Sequence, residues 1–174
     1  MDNAGKNVNG GVSVRDAVLS DTDGIFALID SNRDLLAPRS VGNITESIDR
    51  FAVAELAGEI VGCASYQIHP EIGASAAAAT VELVSIAVRK DLRKSGIGRM
   101  LVEAVLARVA AFGPREAIVL TFSPGFFAKF GFREIPKVNL MHKLYTCCIN
   151  CTKHSNPLTC PEIAMTCDMP RKGL

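Results

Sequence analysis

The stretch from Val81 to Phe122 switches between two periodicities in an order that few architectures accommodate. Val81–Val88 is apolar and β-branched with one interior acid, Glu82, and reads as a strand. Residues 89–95 are polar, and Ile97, Leu101, Ala104, Val105, Val109 and Phe112 then recur at helical spacing. Gly113-Pro114 stops that helix, and Ala117–Phe122 returns to a strand. Strand, helix and strand in this order require a sheet covered by helices.

The remaining chain extends the same pattern. Residues 1–11 are polar and rich in Gly and Asn, as expected of a flexible tail. Val12, Val14 and Ala17–Leu19 read as a first strand, and Ser20-Asp21 as the N-cap of a helix carrying Ile25, Phe26, Leu28 and Ile29. A second helix is expected near Thr45–Arg50, followed by a hairpin of Phe51–Leu56 and Ile60–Ile68 across Ala57-Gly58-Glu59. Gly73–Ala79 is an alanine-rich loop. Ser123-Pro124 opens a short helix that Gly131 ends, Phe132–Ile135 is a strand, and Glu162–Asp168 is the last one. Residues 137–160 form an insertion holding most of the cysteines, and 169–174 a C-terminal tail. The predicted fold is α/β (α+β): one domain over 12–168, a mixed central sheet flanked by helices on both faces.

Composition narrows the function. With 174 residues, 48% of them hydrophobic, the chain can build a core without disulfides or metal. Nineteen Lys and Arg against 18 Asp and Glu leave a net charge of +1, so bulk charge argues for neither a nucleic-acid nor a membrane partner. No apolar run reaches a membrane span, and the opening MDNAGKNVNGG has no signal-peptide core. Of six cysteines only Cys63 precedes residue 147, unlike the spread of a secreted disulfide framework. Reduced thiols and a cytoplasmic location are expected.

The polar link before the long helix concentrates charge that the chain lacks overall. Residues 89–99 hold Arg89, Lys90, Arg93, Lys94 and Arg99 against Asp91 alone. Main-chain N–H groups at a helix start, the helix dipole, and glycines at 96 and 98 together suit a polyanion. A capped, solvated helix start would use the same residues. There is no Gly-Lys-Ser/Thr of a nucleotide P-loop, and Gly96-x-Gly98 lacks the third glycine of a dinucleotide fingerprint.

Arg93-x-x-Gly96-x-Gly98, following Glu82-Leu-Val-Ser-Ile-Ala-Val88, resembles the acetyl-CoA signature of the GNAT superfamily of N-acetyltransferases. Phe126-Phe127-Ala-Lys129-Phe130-Gly131-Phe132 resembles that family's second CoA-contacting segment. Leu35-Leu36-Ala37-Pro38-Arg39-Ser40, Glu59-Ile-Val-Gly-Cys63, Asn150-Cys151 and Cys160-Pro-Glu-Ile-Ala-Met165 are similar to the single-domain branch of N-acetylglutamate synthases. The resemblance implies acetyl transfer from acetyl-CoA to the amino group of a small amino acid, L-glutamate foremost, as in arginine biosynthesis. It also implies that Arg93, Lys94, Ser95, Gly96, Ile97, Gly98 and Arg99 bind the CoA pyrophosphate. Main-chain groups of Ile86, Ala87 and Val88 would hold the pantetheine arm, which needs a splayed strand, and Phe127 and Lys129 would add further CoA contacts.

Glu82 is then the candidate base, on one strand face with Val84, Ile86 and Val88, its pKa raised by burial. The bland alternative is a carboxylate paired with a lysine or arginine. Where the family places a proton-donating tyrosine, this chain has Phe127. Tyr145, Ser123 or solvent would have to protonate the leaving thiolate. Arg39 is the candidate partner for an acceptor carboxylate, with Lys137, His142 and Lys143 as further cations; a plain surface arginine is the alternative. Cys148, Cys151, Cys160 and His154 could supply tetrahedral zinc ligands, or the cysteines could be reduced thiols on a lid. The expected partners are a small-molecule amine and a second copy of the chain. Competing readings are acetylation of a protein amine and a silent CoA-binding regulatory module.

Overall fold

The computed structural model describes residues 11–70, 73, 78–146, 148, 151 and 156–169. The elements in chain order are β1 (Val12–Asp16), α1 (Thr22–Asp30), α2 (Val41–Glu46), β2 (Phe51–Leu56), β3 (Glu59–His69), β4 (Thr80–Val88), α3 (Ile97–Ala110), β5 (Glu116–Thr121), α4 (Pro124–Phe127), β6 (Arg133–Glu134), α5 (Met141–Thr146) and β7 (Ile163–Asp168). Seven strands form one mixed sheet in the order β1-β2-β3-β4-β5-β7-β6. The pairs β1–β2, β2–β3, β5–β7 and β6–β7 are antiparallel, and β4–β5 is parallel. No helix among the described residues is long and apolar enough to cross a membrane.

Two compact units divide the chain: Met1–Tyr66 with Leu83–Arg108, and Gln67–Glu82 with Val109–Leu174. In the first, α1 and α2 bring Ile25, Leu28, Ile29 and Ile44 onto Phe51, Val53, Cys63 and Ala87. Leu101, Val102 and Val105 of α3 are fully buried, as their helical spacing requires. Arg108 donates to the Phe51 carbonyl at 3.1 Å, pairs with Asp16 at 3.2 Å and lies over the Tyr66 ring. In the second unit Ile118, Leu140 and Ala164 form a smaller core with Leu120 and Ile135 packed against it.

Several boundaries differ from the sequence reading for local reasons. Ala17–Leu19 does not continue β1; Leu19–Asp21 is a 3-10 turn, with Val18 N–H donating to Asp21 at 2.8 Å. Asp21 caps that turn and pairs with Arg15 at 2.7 Å, and its side chain makes no capping bond to α1. The second helix begins earlier, at Val41, because Ser40 Oγ accepts from Asn43 N–H at 3.1 Å; Ile48–Arg50 is a separate 3-10 turn. Lys137–Leu140 and α5 are helical where only an insertion was expected.

The hairpin turn is tighter than expected. Ala57 and Gly58 both have positive φ, +51° and +84°, between the closing pair Leu56 and Glu59. Two left-handed residues match the twist of the strands, but alanine bears a steric cost there of about 1 kcal/mol. Replacing Ala57 by Asn, which tolerates this region, is expected to raise unfolding stability by about 0.5–1 kcal/mol in urea titrations. A lowered midpoint would contradict the turn geometry.

Candidate active site

Glu82 lies in β4 within the second unit, 4% exposed, and both of its carboxylate oxygens are engaged. His69 Nε2, at the end of β3, donates to Oε2 at 2.9 Å. Lys143 Nζ, from α5, donates to Oε1. His69 and Lys143 are themselves buried, at 3% and 6% exposure. Two residues earlier in the same strand, Thr80 shares a 2.8 Å hydrogen bond with His142 Nε2. The two-residue period of β4 thus presents Thr80 and Glu82 to consecutive residues of one short helix. The His69 and His142 rings meet edge to face, with centroids 6.1 Å apart.

This arrangement reverses the charge expectation for Glu82. Burial alone would push its carboxyl up, but the Lys143 ammonium and the hydrogen bonds from His69 and Lys143 outweigh it and hold the group below the usual carboxylate range. Glu82 is a paired carboxylate, as the bland reading had it, and the pair is deeply buried. Neither His69 nor Lys143 was singled out as its partner from sequence. Leu140 and Leu144, four apart and both buried, were the available sign that Lys143 sits on an inward-facing helix.

Ser85 has φ +55°, which interrupts the alternation of β4. Glu82, Val84, Ile86 and Val88 therefore do not follow one unbroken strand face. The Cys63 thiol donates to the Ser85 carbonyl at 3.4 Å, and burial pushes that thiol up to about 12. Ala87 is buried, and Ile86 and Val88 are half-buried.

The basic loop lies in the first unit. Lys94 and Gly96 have positive φ, +67° and +93°. The first bond into α3 runs from Met100 N–H to the Gly96 carbonyl at 3.1 Å, so the amides of Ile97, Gly98 and Arg99 precede the helical ladder. That is a geometry an anionic diphosphate fits. Ser95 Oγ donates to the Leu92 carbonyl at 2.6 Å. The local positive charge is partly offset: Arg89 pairs with Asp91 and Glu59, and Arg99 with Glu103 at 2.7 Å. Arg93 donates to Asn32 Oδ1, while Asn32 Nδ2 donates to the Leu28 carbonyl at 2.7 Å, tying the loop to the end of α1.

Other candidates are distributed more widely. Arg39 is half-buried, donates to Asn43 Oδ1 at 2.9 Å and lies 5.8 Å over the Phe51 ring centroid. Phe127 is buried in an aromatic cluster with Phe126 and Phe132, at 5.1 and 5.6 Å between centroids. Lys129 is exposed beside Gly131, whose φ of +85° ends the segment as expected. Tyr145 falls in α5, and its side chain lies outside the described residues. Cys148, Cys151 and Cys160 line one small cavity with Leu120, Pro157 and Glu162. His154 and Cys147 lie outside the described residues, and no metal-holding group of three or more His, Cys, Asp or Glu occurs among those described.

Residues 47–134 match the acetyltransferase (GNAT) domain family. The chain belongs to that family and is an N-acetyltransferase with acetyl-CoA as its cosubstrate. It is 35% identical over 154 residues to an uncharacterized N-acetyltransferase of Chlorobaculum tepidum, covering 87% of this chain and 93% of the relative. It is 32% identical over 127 residues to the amino-acid acetyltransferase of Mycobacterium tuberculosis, covering 70% and 68%. The structure of N-acetylglutamate synthase from Neisseria gonorrhoeae, complexed with coenzyme A and N-acetyl-glutamate, shares the fold with a TM-score of 0.74 at 22% identity. That likeness covers 94% of this chain but 36% of the synthase.

The Lys143–Glu82 pair has a testable energetic signature. Because Glu82 titrates lower folded than unfolded, its pairing stabilises the protein above about pH 4.3 and is lost as pH falls through the folded value. Lys143→Met leaves a buried carboxylate with one donor fewer, at an expected cost of about 3–5 kcal/mol at pH 8. The deficit should narrow towards pH 5, as the stranded carboxyl takes up a proton. Urea unfolding at both pH values measures it; an equal deficit at each would reduce Lys143 to a packing role.

Proposed function

We propose that this enzyme acetylates the α-amino group of a small amino acid, with L-glutamate the first acceptor to test, and that Glu82 takes the acceptor's ammonium proton. The observation that carries this reading is a buried carboxylate kept ionised by Lys143 and His69 in an N-acetyltransferase with amino-acid acetyltransferase relatives. An ionised carboxylate is in the protonation state that a base requires before it takes a proton.

The chemistry needs few parts. The acceptor's N–H bond breaks as its proton passes to Glu82, directly or through water. The freed amine attacks the thioester carbonyl carbon; a C–N bond forms and the C–S bond breaks. The second proton of the adduct's nitrogen goes to the departing thiolate, with Tyr145 or Ser123 as candidate intermediaries. The cosubstrate's diphosphate would sit on the amides of Ile97, Gly98 and Arg99, with Lys94 and Ser95 beside it and Arg93 holding the loop in shape. Main-chain groups of Ile86, Ala87 and Val88 would take the pantetheine arm beside the irregularity at Ser85. Lys129 would add a cationic contact, and Phe127, being core, would act by supporting that segment. Arg39 would meet an acceptor carboxylate, its guanidinium already steered by Asn43 and Phe51. An arginine-biosynthetic role in the cytoplasm follows only if glutamate is the acceptor.

Thiol release from acetyl-CoA with a panel of glutamate, other amino acids, polyamines and peptide N-termini tests the acceptor. Glutamate is expected to turn over fastest; turnover confined to polyamines or peptides would overturn the amino-acid assignment. Glu82→Gln is expected to lower kcat by at least about 100-fold while CoA binding, measured calorimetrically, persists. Unchanged turnover would remove Glu82 as the base.

A further inference from the structure

Asn32 stands one residue past the C-cap of α1 and is 2% exposed, yet it belongs to none of the motifs read from the sequence. Its Nδ2 donates to the Leu28 carbonyl at 2.7 Å and to Ser31 Oγ at 3.2 Å, and its Oδ1 accepts from Arg93. The partners fix the orientation of the amide: a carbonyl accepts and a guanidinium donates, so Nδ2 meets Leu28 and Oδ1 meets Arg93. Its main chain is engaged as well. Asn32 N–H donates to the Ile29 carbonyl, and the Asn32 carbonyl accepts from Leu35 and Leu36 N–H, each at 3.0 Å. Arg93 in turn opens a loop whose shape carries a cost. On one side Arg89 N–H is tied to the Val61 carbonyl at 2.8 Å, and on the other α3 starts at the Gly96 carbonyl. Between them Lys94 and Gly96 are left-handed, at φ +67° and +93°. A lysine disfavours that region, so the conformation persists where neighbouring contacts over-determine it.

We propose that Asn32 is a positioning residue for the cosubstrate. By holding Arg93 it keeps the turn from Lys94 to Gly96 in its left-handed shape, so that the amides of Ile97, Gly98 and Arg99 are set before the diphosphate arrives. The gain is preorganisation: a loop already shaped for the anion loses less freedom on binding. Asparagine suits the task because it is neutral. An aspartate would also accept from Arg93, but it would cancel the guanidinium charge and set a negative one near the bound anion. Asn32, Arg93 and the turn all belong to the first unit. The bond-making steps at the thioester are untouched, so the effect falls on cosubstrate affinity and leaves turnover at saturation alone.

This inference rests on those amides holding the diphosphate, and the experiment separates the two. Calorimetry measures the Kd of CoA, and steady-state assays with the fastest acceptor of the panel above give kcat and KM for acetyl-CoA. Asn32→Leu removes the acceptor at similar volume, while the Leu28 carbonyl keeps a hydrogen bond from Ser31 Oγ at 2.9 Å. It is expected to raise both Kd and KM about tenfold and to leave kcat within about twofold. Arg93→Met should do the same, and the double variant no more than either single one, because both break one tie. A Kd unmoved by Asn32→Leu, losses that multiply in the double variant, or a fall in kcat with KM unchanged overturns the proposal. Gly96→Ala, strained at φ +93°, tests the underlying reading: unaltered CoA binding there removes the diphosphate site and the proposal with it. Weakened binding there with Asn32→Leu unmoved overturns the proposal alone. Should Asn32→Leu not fold, amide hydrogen exchange of Arg93→Met decides. Exchange at 94–99 quickening several-fold supports the proposal, and unchanged exchange overturns it.

Discussion

A carboxylate taken out of water must recover its lost hydration from other donors, and Glu82 does so through a lysine and a histidine brought from two other elements. That requirement organises the second unit around it. It draws the end of β3 and the short helix α5 to one point on β4. Six residues of helix would be marginal in isolation, so α5 depends on the ion pair and on Leu140 and Leu144 for its place. The same contacts set the charge, since a lysine against the carboxylate keeps ionised a group that burial would neutralise.

In the first unit the basic loop before α3 is shaped by main chain more than by side chains. Gly96 and Lys94 take left-handed conformations that turn the chain into α3 and set its first amides ahead of the helical ladder. The arginines nearby are partly spoken for: Arg89 and Arg99 meet carboxylates, and Arg93 reaches a buried asparagine at the end of α1. These contacts fix the geometry of the loop. The N–H groups left ahead of the helical ladder are ones that any residue carries, so the motif is a matter of backbone shape.

Much of this was legible from residue order. The α3 periodicity, the β2–β3 hairpin, the Gly131 stop and the glycine at 96 all express local physics: helical spacing, a two-residue turn, and φ values that side chains resist. What escaped the reading was settled by partners that the spacing did not mark. Asp21 looks like a helix cap until Arg15 and Val18 claim it. The stretch holding Lys143 looks like an insertion dominated by cysteines until its leucines find a core.

Residue order alone therefore determined the class of fold, the glycine turn into α3 and the strand that carries Glu82, because each follows from local pattern. The charge that the acid carries was decided only by tertiary structure. His69 and Lys143 stand 13 and 61 residues from Glu82 in the chain, and electrostatic energy depends on distance in space and on the dielectric between groups. Neither quantity exists until the sheet and α5 have folded together.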